Sequence, residues 1–321
     1  MKKRRYLSLA VALLVGLIIC SAVVWPSMAA EKKYHFFVAT HATPHPFWDC
    51  VKKGAEDAAK LLNVELSFPF MEVYDISKQV EFIRLSLAAK VDGLVVSCAE
   101  PMALKPLIKE ARDKGIPIIG IDTPDPTGET PYMSYIGADY YLQGCATGKR
   151  LATMLSSGDS GVVCIGEPGH SGLEARAKGI KDVLAEVGIK TDKLDTGADM
   201  TKALEIIKSY HAAHPETKFI AGLDAYTGYF AGVYVQTEGL KGKVIAAGFD
   251  VSEPVMNLIK KGYLDFSAAD QPYAMGFFSM CQLYAFNTGG ITPMDMNTAA
   301  GFVDADNVDK ESEFAEKGFR G

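Results

Sequence analysis

Ile245-Ala246-Ala247-Gly248-Phe249-Asp250 reads as an apolar strand that ends in a carboxylate, and a helical pattern from Ser252-Glu253-Pro254 to Lys261 follows it. In an open α/β sheet, ligands bind in the crevice beyond the carboxyl ends of the strands. An aspartate there, just ahead of a crossover helix, therefore points at a site. The same grammar recurs at Ile118-Ile119-Gly120-Ile121-Asp122 and at Phe219-Ile220-Ala221-Gly222-Leu223-Asp224. Three strands thus each deliver an aspartate to an equivalent position.

The rest of the chain repeats the alternation. Further strands are predicted at His35–Thr40, Val64–Pro69, Gly93–Ser97, Ser134–Gly137, Gly161–Gly166 and Phe266–Ala269. Helices are predicted at Phe47–Leu62, Ile76–Ala89, Met102–Lys114, Tyr141–Ser156, Leu173–Val187 and Thr201–His214. Short apolar strands alternating with amphipathic helices predict parallel sheets covered on both faces, an α/β doubly wound architecture. A weak internal echo divides it in two. The helix carrying Trp48, Gly54 and Leu62 leads quickly to a strand at Val64, and the helix carrying Arg176, Gly179 and Leu184 leads to another at Ile189. Two similar halves predict two lobes with a cleft between them, where strand ends from both converge.

The first thirty residues set the compartment. Lys2-Lys3-Arg4-Arg5, an apolar run from Leu7 to Val24 and the small-residue site Ser27-Met28-Ala29 form a signal peptide cleaved after Ala29. An uncleaved membrane anchor is the rival reading. Cys20 would suit lipidation, but Ile19 stands where such signals need a small residue. The full chain carries a net charge of −6, and loss of a leader with four basic and no acidic residues leaves −10. An acidic exported chain lacks the electrostatic footprint of a nucleic-acid binder. Beyond the leader, Cys50, Cys98, Cys145, Cys164 and Cys281 show no zinc or Cys-x-x-Cys spacing. They read mostly as small apolar core residues, with one disulfide left open by the oxidising compartment.

In order along the chain, Pro46-Phe47-Trp48, Val91-Asp92-Gly93-Leu94-Val95-Val96-Ser97, Gly115 to Asp122 and Ile136-Gly137-Ala138-Asp139 form one collinear set. Arg176-x2-Gly179, Gly248-Phe249-Asp250, Asp270-Gln271-Pro272-Tyr273 with Gly276, and Thr292-Pro293 complete it. In this the chain resembles the ribose/galactose-binding type of periplasmic sugar-binding protein, the soluble receptor of an ABC importer. The resemblance implies a chain that crosses between lobes three times: residues 31–135 plus 271–300 in one, 136–270 plus 301–321 in the other. It also implies closure around a ligand by hinge bending, monomeric action in the periplasm, and delivery to a membrane permease without a cofactor.

A sugar offers hydroxyls that both donate and accept, and a C–H face. Carboxylates accept from two hydroxyls at once, arginine donates a planar fork, and aromatic rings cover the C–H face. The candidates are Asp122, Asp224, Asp250 and Asp270 with Arg176 as the fork, Phe47 and Trp48 as the platform, and His45 as a polar contact. Four acids around one arginine suit a neutral polyol better than an anion. Each has a plainer alternative. Asp122 precedes Thr123-Pro124 and suits a turn, Asp224 and Asp250 suit helix caps, and Gln271 replaces Asp270 if the register slips by one. His41 and His45 flank a Pro-containing loop, a poor spacing for a metal. Tyr140 reads as hinge packing, and Tyr226 as rim or core. A receptor that presents a sugar-derived signal to a sensor kinase or chemoreceptor would use the same pocket. An exported enzyme would need a nucleophile or triad, and neither Gly-x-Ser-x-Gly nor His-Glu-x-x-His occurs.

Overall fold

Two six-stranded sheets organise the protein. The computed structural model describes residues 32–320 except Thr43, Pro126, Ala198 and Ala300, and all elements below lie in the unit Tyr34–Gly321. The leader and its cleavage site lie outside the described residues. The first sheet runs β2 (Glu65–Ser67), β1 (His35–Ala39), β3 (Gly93–Val96), β4 (Ile118–Ile121), β5 (Ser134–Gly137) and β11 (Met296–Asn297), all parallel. The second runs β7 (Lys190–Asp195), β6 (Ser160–Ile165), β8 (Thr217–Gly222), β9 (Ile245–Phe249), β10 (Phe266–Ala269) and β12 (Gly301–Asp304). Only the β10–β12 pair in it is antiparallel. The expected doubly wound α/β architecture with two parallel-sheet lobes is what forms.

Successive side chains of a strand point to opposite faces, and each sheet builds two cores accordingly. Phe36, Val38, Val95, Ile119 and Ile121 pack under α1 (Pro46–Leu62), while Phe37, Leu94, Val96 and Ile118 pack under α2 (Ile76–Ala89) and α3 (Pro101–Asp113). In the second lobe Val163, Ala221 and Phe249 meet α4 (Tyr140–Ala152) and α5 (Ser171–Glu186). There Val162, Ile220 and Ala246 face the side of α6 (Met200–Ala213), α7 (Ala225–Thr237) and α8 (Glu253–Lys261). The chain continues through α9 (Pro272–Gly289) and ends in α10 (Val308–Glu316). Strand β7, sequence Lys-Thr-Asp-Lys-Leu-Asp, has no apolar run and sits at a sheet edge. Charge on an edge strand discourages pairing with other chains. Helices α7 and α9 are apolar nearly all round because they are buried between neighbours, so they carry little helical periodicity.

The chain passes between the sheets three times, after β5, after β10 and after β11. The crossings are tied together. The Thr298 amide donates to Gly137 O (3.3 Å), Thr298 Oγ1 to Asp270 Oδ1 (2.6 Å), and Gln271 Nε2 to Thr298 O (3.4 Å).

Two helix pairs, one per lobe, approach so closely that only glycine fits. A Cβ on Gly276 of α9 would lie 1.9 Å from Val51 O of α1, and one on Gly54 of α1 2.1 Å from Tyr273 O. In the second lobe, a Cβ on Gly179 of α5 would lie 2.3 Å from Tyr141 O of α4. Gly54 and Gly179 are the two glycines of the internal echo, so the repeat is a repeated helix–helix contact. Because the obstacle is backbone, Gly276→Ala is expected to destabilise by about 3 kcal/mol, the upper part of the usual overpacking range. Thermal unfolding would show it, and an unchanged midpoint would refute the close contact. All five described cysteines are free, with Cys50, Cys98 and Cys164 buried. Among the described residues no helix is long and apolar enough to cross a membrane.

Candidate functional site

A cavity of about 420 Å³ lies where the carboxyl ends of β1, β4, β6, β8 and β9 converge from the two sheets. The ends of β4 and β9 have an unusual backbone. Among the described residues, four non-glycines take a left-handed φ. Two of these, Asn63 and Lys90, are helix C-caps. The other two are Asp122 (φ 60°) and Asp250 (φ 65°). Aspartate tolerates this region better than most residues. Both residues leave their strands there, their amides donating to Ile136 O and Ala268 O, and both line the cavity.

Arg176 sits at the centre of the charge distribution. It is 5% exposed, its Nε donates to Gln143 Oε1 (2.9 Å) and its Nη1 to Leu223 O (2.8 Å). The guanidinium carbon lies 4.0 Å from the Tyr140 ring centroid and 4.2 Å from that of Phe249, a sandwich that fixes the plane of the fork. Burial raises the Asp122 carboxyl even though Tyr140 Oη and Thr123 Oγ1 each donate to it at 2.8 Å. Burial also pushes Asp250 up to about 7, with Arg176 opposing and the other aspartates adding to the shift.

The histidines supply no balancing charge. Burial draws His41 and His170 down to about 4 and lowers His45, so all three are neutral near pH 7 and offer polar edges. His41 Nδ1 pairs with Ser97 Oγ at 2.7 Å, and its Nε2 lies 3.6 Å from Asp122 Oδ2. Among the described residues, Arg176 is therefore the one cationic side chain lining the cavity. Several contacts join the lobes across it. Tyr140 of α4 bonds to Asp122, the His45 ring meets Tyr226 at 5.3 Å, and His41 meets His170 at 6.1 Å. Among the described residues no group of three His, Cys, Asp or Glu is arranged to hold a metal ion.

Residues 36–290 match the family model of the periplasmic binding protein domain. The chain belongs to that family. It is 28% identical over 283 residues to the xylose/arabinose-binding protein of Sulfolobus acidocaldarius, covering 84% of this chain and 70% of that protein. The ribose import binding protein of Bacillus subtilis is 24% identical over 253 residues, 78% of this chain and 81% of that protein. Among solved structures, the periplasmic sugar-binding protein of an ABC sugar transporter from Legionella pneumophila superposes with a TM-score of 0.78 at 30% identity, over 83% of this chain and 100% of that one. A carbohydrate transporter from Acidothermus cellulolyticus 11B, in complex with myo-inositol, gives 0.80 at 29% identity over 90% and 100%.

Within this family member, His45, Phe47, Trp48, Asp122, Arg176, Asp224 and Asp250 all line the one cavity. Their situations differ. Phe47 and Trp48 are 8% and 6% exposed and meet edge to face at 5.2 Å, so both reach cavity and core. His45 is the N-cap of α1, its Nδ1 accepting from the Phe47 amide at 3.1 Å. Asp224 caps α7: Oδ1 accepts from the Tyr226 and Thr227 amides, and Oδ2 accepts from the Gly166 amide at 2.9 Å. Three backbone donors leave that carboxylate little acceptor capacity for a ligand. Asp250 caps nothing; the N-cap of α8 is Ser252. Asp270 stands apart from the cavity lining. It is 4% exposed in the second crossing, holding Thr298 and the Gln271 amide, and burial pushes it up to about 6. Tyr140, expected to pack the hinge, opens α4 just past the first crossing and also lines the cavity and stacks on Arg176. Glu167, Tyr74 and Thr196 also line it without having been singled out as candidates. They lie in loops between elements, where sequence pattern is least informative.

Proposed function

We propose that this protein captures a sugar or polyol between its lobes and delivers it to the membrane permease of an ABC importer. It is exported to the periplasm after cleavage at Ala29, acts as a monomer and catalyses no reaction. The observation that carries the reading is the Arg176 fork, clamped between Tyr140 and Phe249 and facing the strand-end carboxylates Asp122 and Asp250 in a cavity shared by both lobes. That set offers donors, acceptors and aromatic surface to vicinal hydroxyls, and it contains no nucleophile with an adjacent base. Family membership and relatives described as sugar-binding support it. The lobes move about the three crossings, which hydrogen bonds through Thr298 hold in register. The test is a thermal-shift screen of the purified protein against sugars and polyols. A true ligand at ~100 times its dissociation constant adds roughly 2.7 kcal/mol of stability. Absence of a shift with every carbohydrate would remove the reading.

A further inference from the structure

Glu167 occupies a place that a neutral ligand does not explain. It follows Gly166 at the carboxyl end of β6, is half-buried and lines the cavity. Its carboxyl receives no hydrogen bond from the described residues. The groups that act on it are of its own sign: burial and the carboxylates of Asp224 and Asp122 push it up to about 7. Arg176 acts on Asp122, Asp250 and Asp270, not on Glu167. Tyr74 and Tyr226 stand close enough for Glu167 to raise both phenols, and both line the cavity. The imidazoles that line the cavity, His41, His45 and His170, are neutral near pH 7. An acceptor among acids and aromatic rings with no cation is poorly suited to a hydroxyl, which carries no charge to offset the repulsion. It suits an ammonium group, which donates charge-assisted hydrogen bonds and is attracted to ring faces.

We propose that the ligand is a polyol bearing a protonated amine, which Glu167 receives with Tyr74 and Tyr226 beside it, while Arg176, Asp122 and Asp250 hold the hydroxyls. This deepens the sugar-or-polyol reading and rests on it. The rival role for Glu167, a protonated acid donating to a sugar oxygen, differs in one respect: Glu167→Gln preserves a donor but abolishes the charge.

The experiment is calorimetric titration of the purified protein at neutral pH with three matched pairs. These are D-glucose and D-glucosamine, D-galactose and D-galactosamine, and myo-inositol and an amino-deoxy-inositol. At least one amine is expected to bind about tenfold or more tightly than its neutral partner, the size of one charged hydrogen bond. Glu167→Gln is expected to erase that preference, lowering the amine's affinity about tenfold relative to its neutral partner. Neutral partners that bind as tightly in every pair overturn the inference and leave the parent reading standing. A preference that survives Glu167→Gln overturns the assignment of Glu167. Binding by none of the six compounds, with a shift from another carbohydrate in the wider screen, overturns the amine alone. No shift from any carbohydrate removes the parent reading as well.

Discussion

Replacing Arg176 by alanine is expected to lower ligand affinity at least tenfold and to destabilise the unliganded protein by about 3 kcal/mol, as loss of one partner from a buried charged network does. The side chain is 5% exposed and holds Gln143 Oε1 and Leu223 O directly. Truncation strands both acceptors in a buried setting, each costing about 1–3 kcal/mol. It also opens a gap between the Tyr140 and Phe249 rings. The larger effect is electrostatic, because Arg176 is the one group that favours ionisation of all three of Asp122, Asp250 and Asp270, and the only one that does so for Asp250. Without it Asp122 and Asp250, which line the cavity, hold their protons more strongly and are poorer acceptors for ligand hydroxyls. Arg176→Lys should recover only part of the loss, since an ammonium keeps the charge but neither forks between two acceptors nor stacks between two rings. Titration and thermal unfolding of both variants check this. Unchanged affinity in the alanine variant would show that Arg176 is structural only.

The architecture was legible because its information is local. Central strands such as Gly93–Val96 and Ile118–Ile121 are buried on every residue and read as unbroken apolar runs. Helices α1 and α2 show their buried stripes at helical spacing. What escaped was decided at a distance. Strand β12 exists because the chain returns antiparallel to β10, and β7, anticipated only as a strand beginning near Ile189, extends to Asp195 because β6 offers it a free edge. Strand-end aspartates were visible by position, yet position alone does not separate their roles. Asp224 and Asp250 follow neighbouring parallel strands, but the first is held by three backbone amides and the second by none. The difference lies in backbone conformation: Asp224 is extended at φ −137°, the geometry of a helix cap, whereas Asp250 is left-handed at φ 65°. Asp270 entered the candidate set through the resemblance carried by Asp270-Gln271-Pro272-Tyr273, with Gln271 as its alternative. Its strand end is also a crossing, and Thr298 from the next crossing takes its carboxylate.

Asp250→Asn is expected to make the unliganded protein more stable at about pH 8, by about 2–4 kcal/mol, while weakening ligand binding at least tenfold. The folded, empty protein holds the Asp250 carboxyl at about 7 against an ordinary value of 3.8. Between those values the folded state keeps a proton that the unfolded chain has released, so stability falls as pH rises through the window. Above about pH 7 the carboxylate is ionised while buried beside Asp270, Asp122 and Asp224, with only Arg176 to offset it. Asparagine never ionises and escapes this penalty. The gap between the variants should therefore close as pH falls toward 4 and reopen as it rises. A helix cap gives the opposite result, because deleting a cap lowers the melting temperature. Melting curves across this pH range, with ligand titrations at one pH, separate the two. An asparagine variant that melts at or below the parent at about pH 8 would refute the buried-charge account. Higher stability with lost affinity is the pattern of a group strained for binding, a trade-off expected where a site keeps charge out of water so that a ligand can meet it.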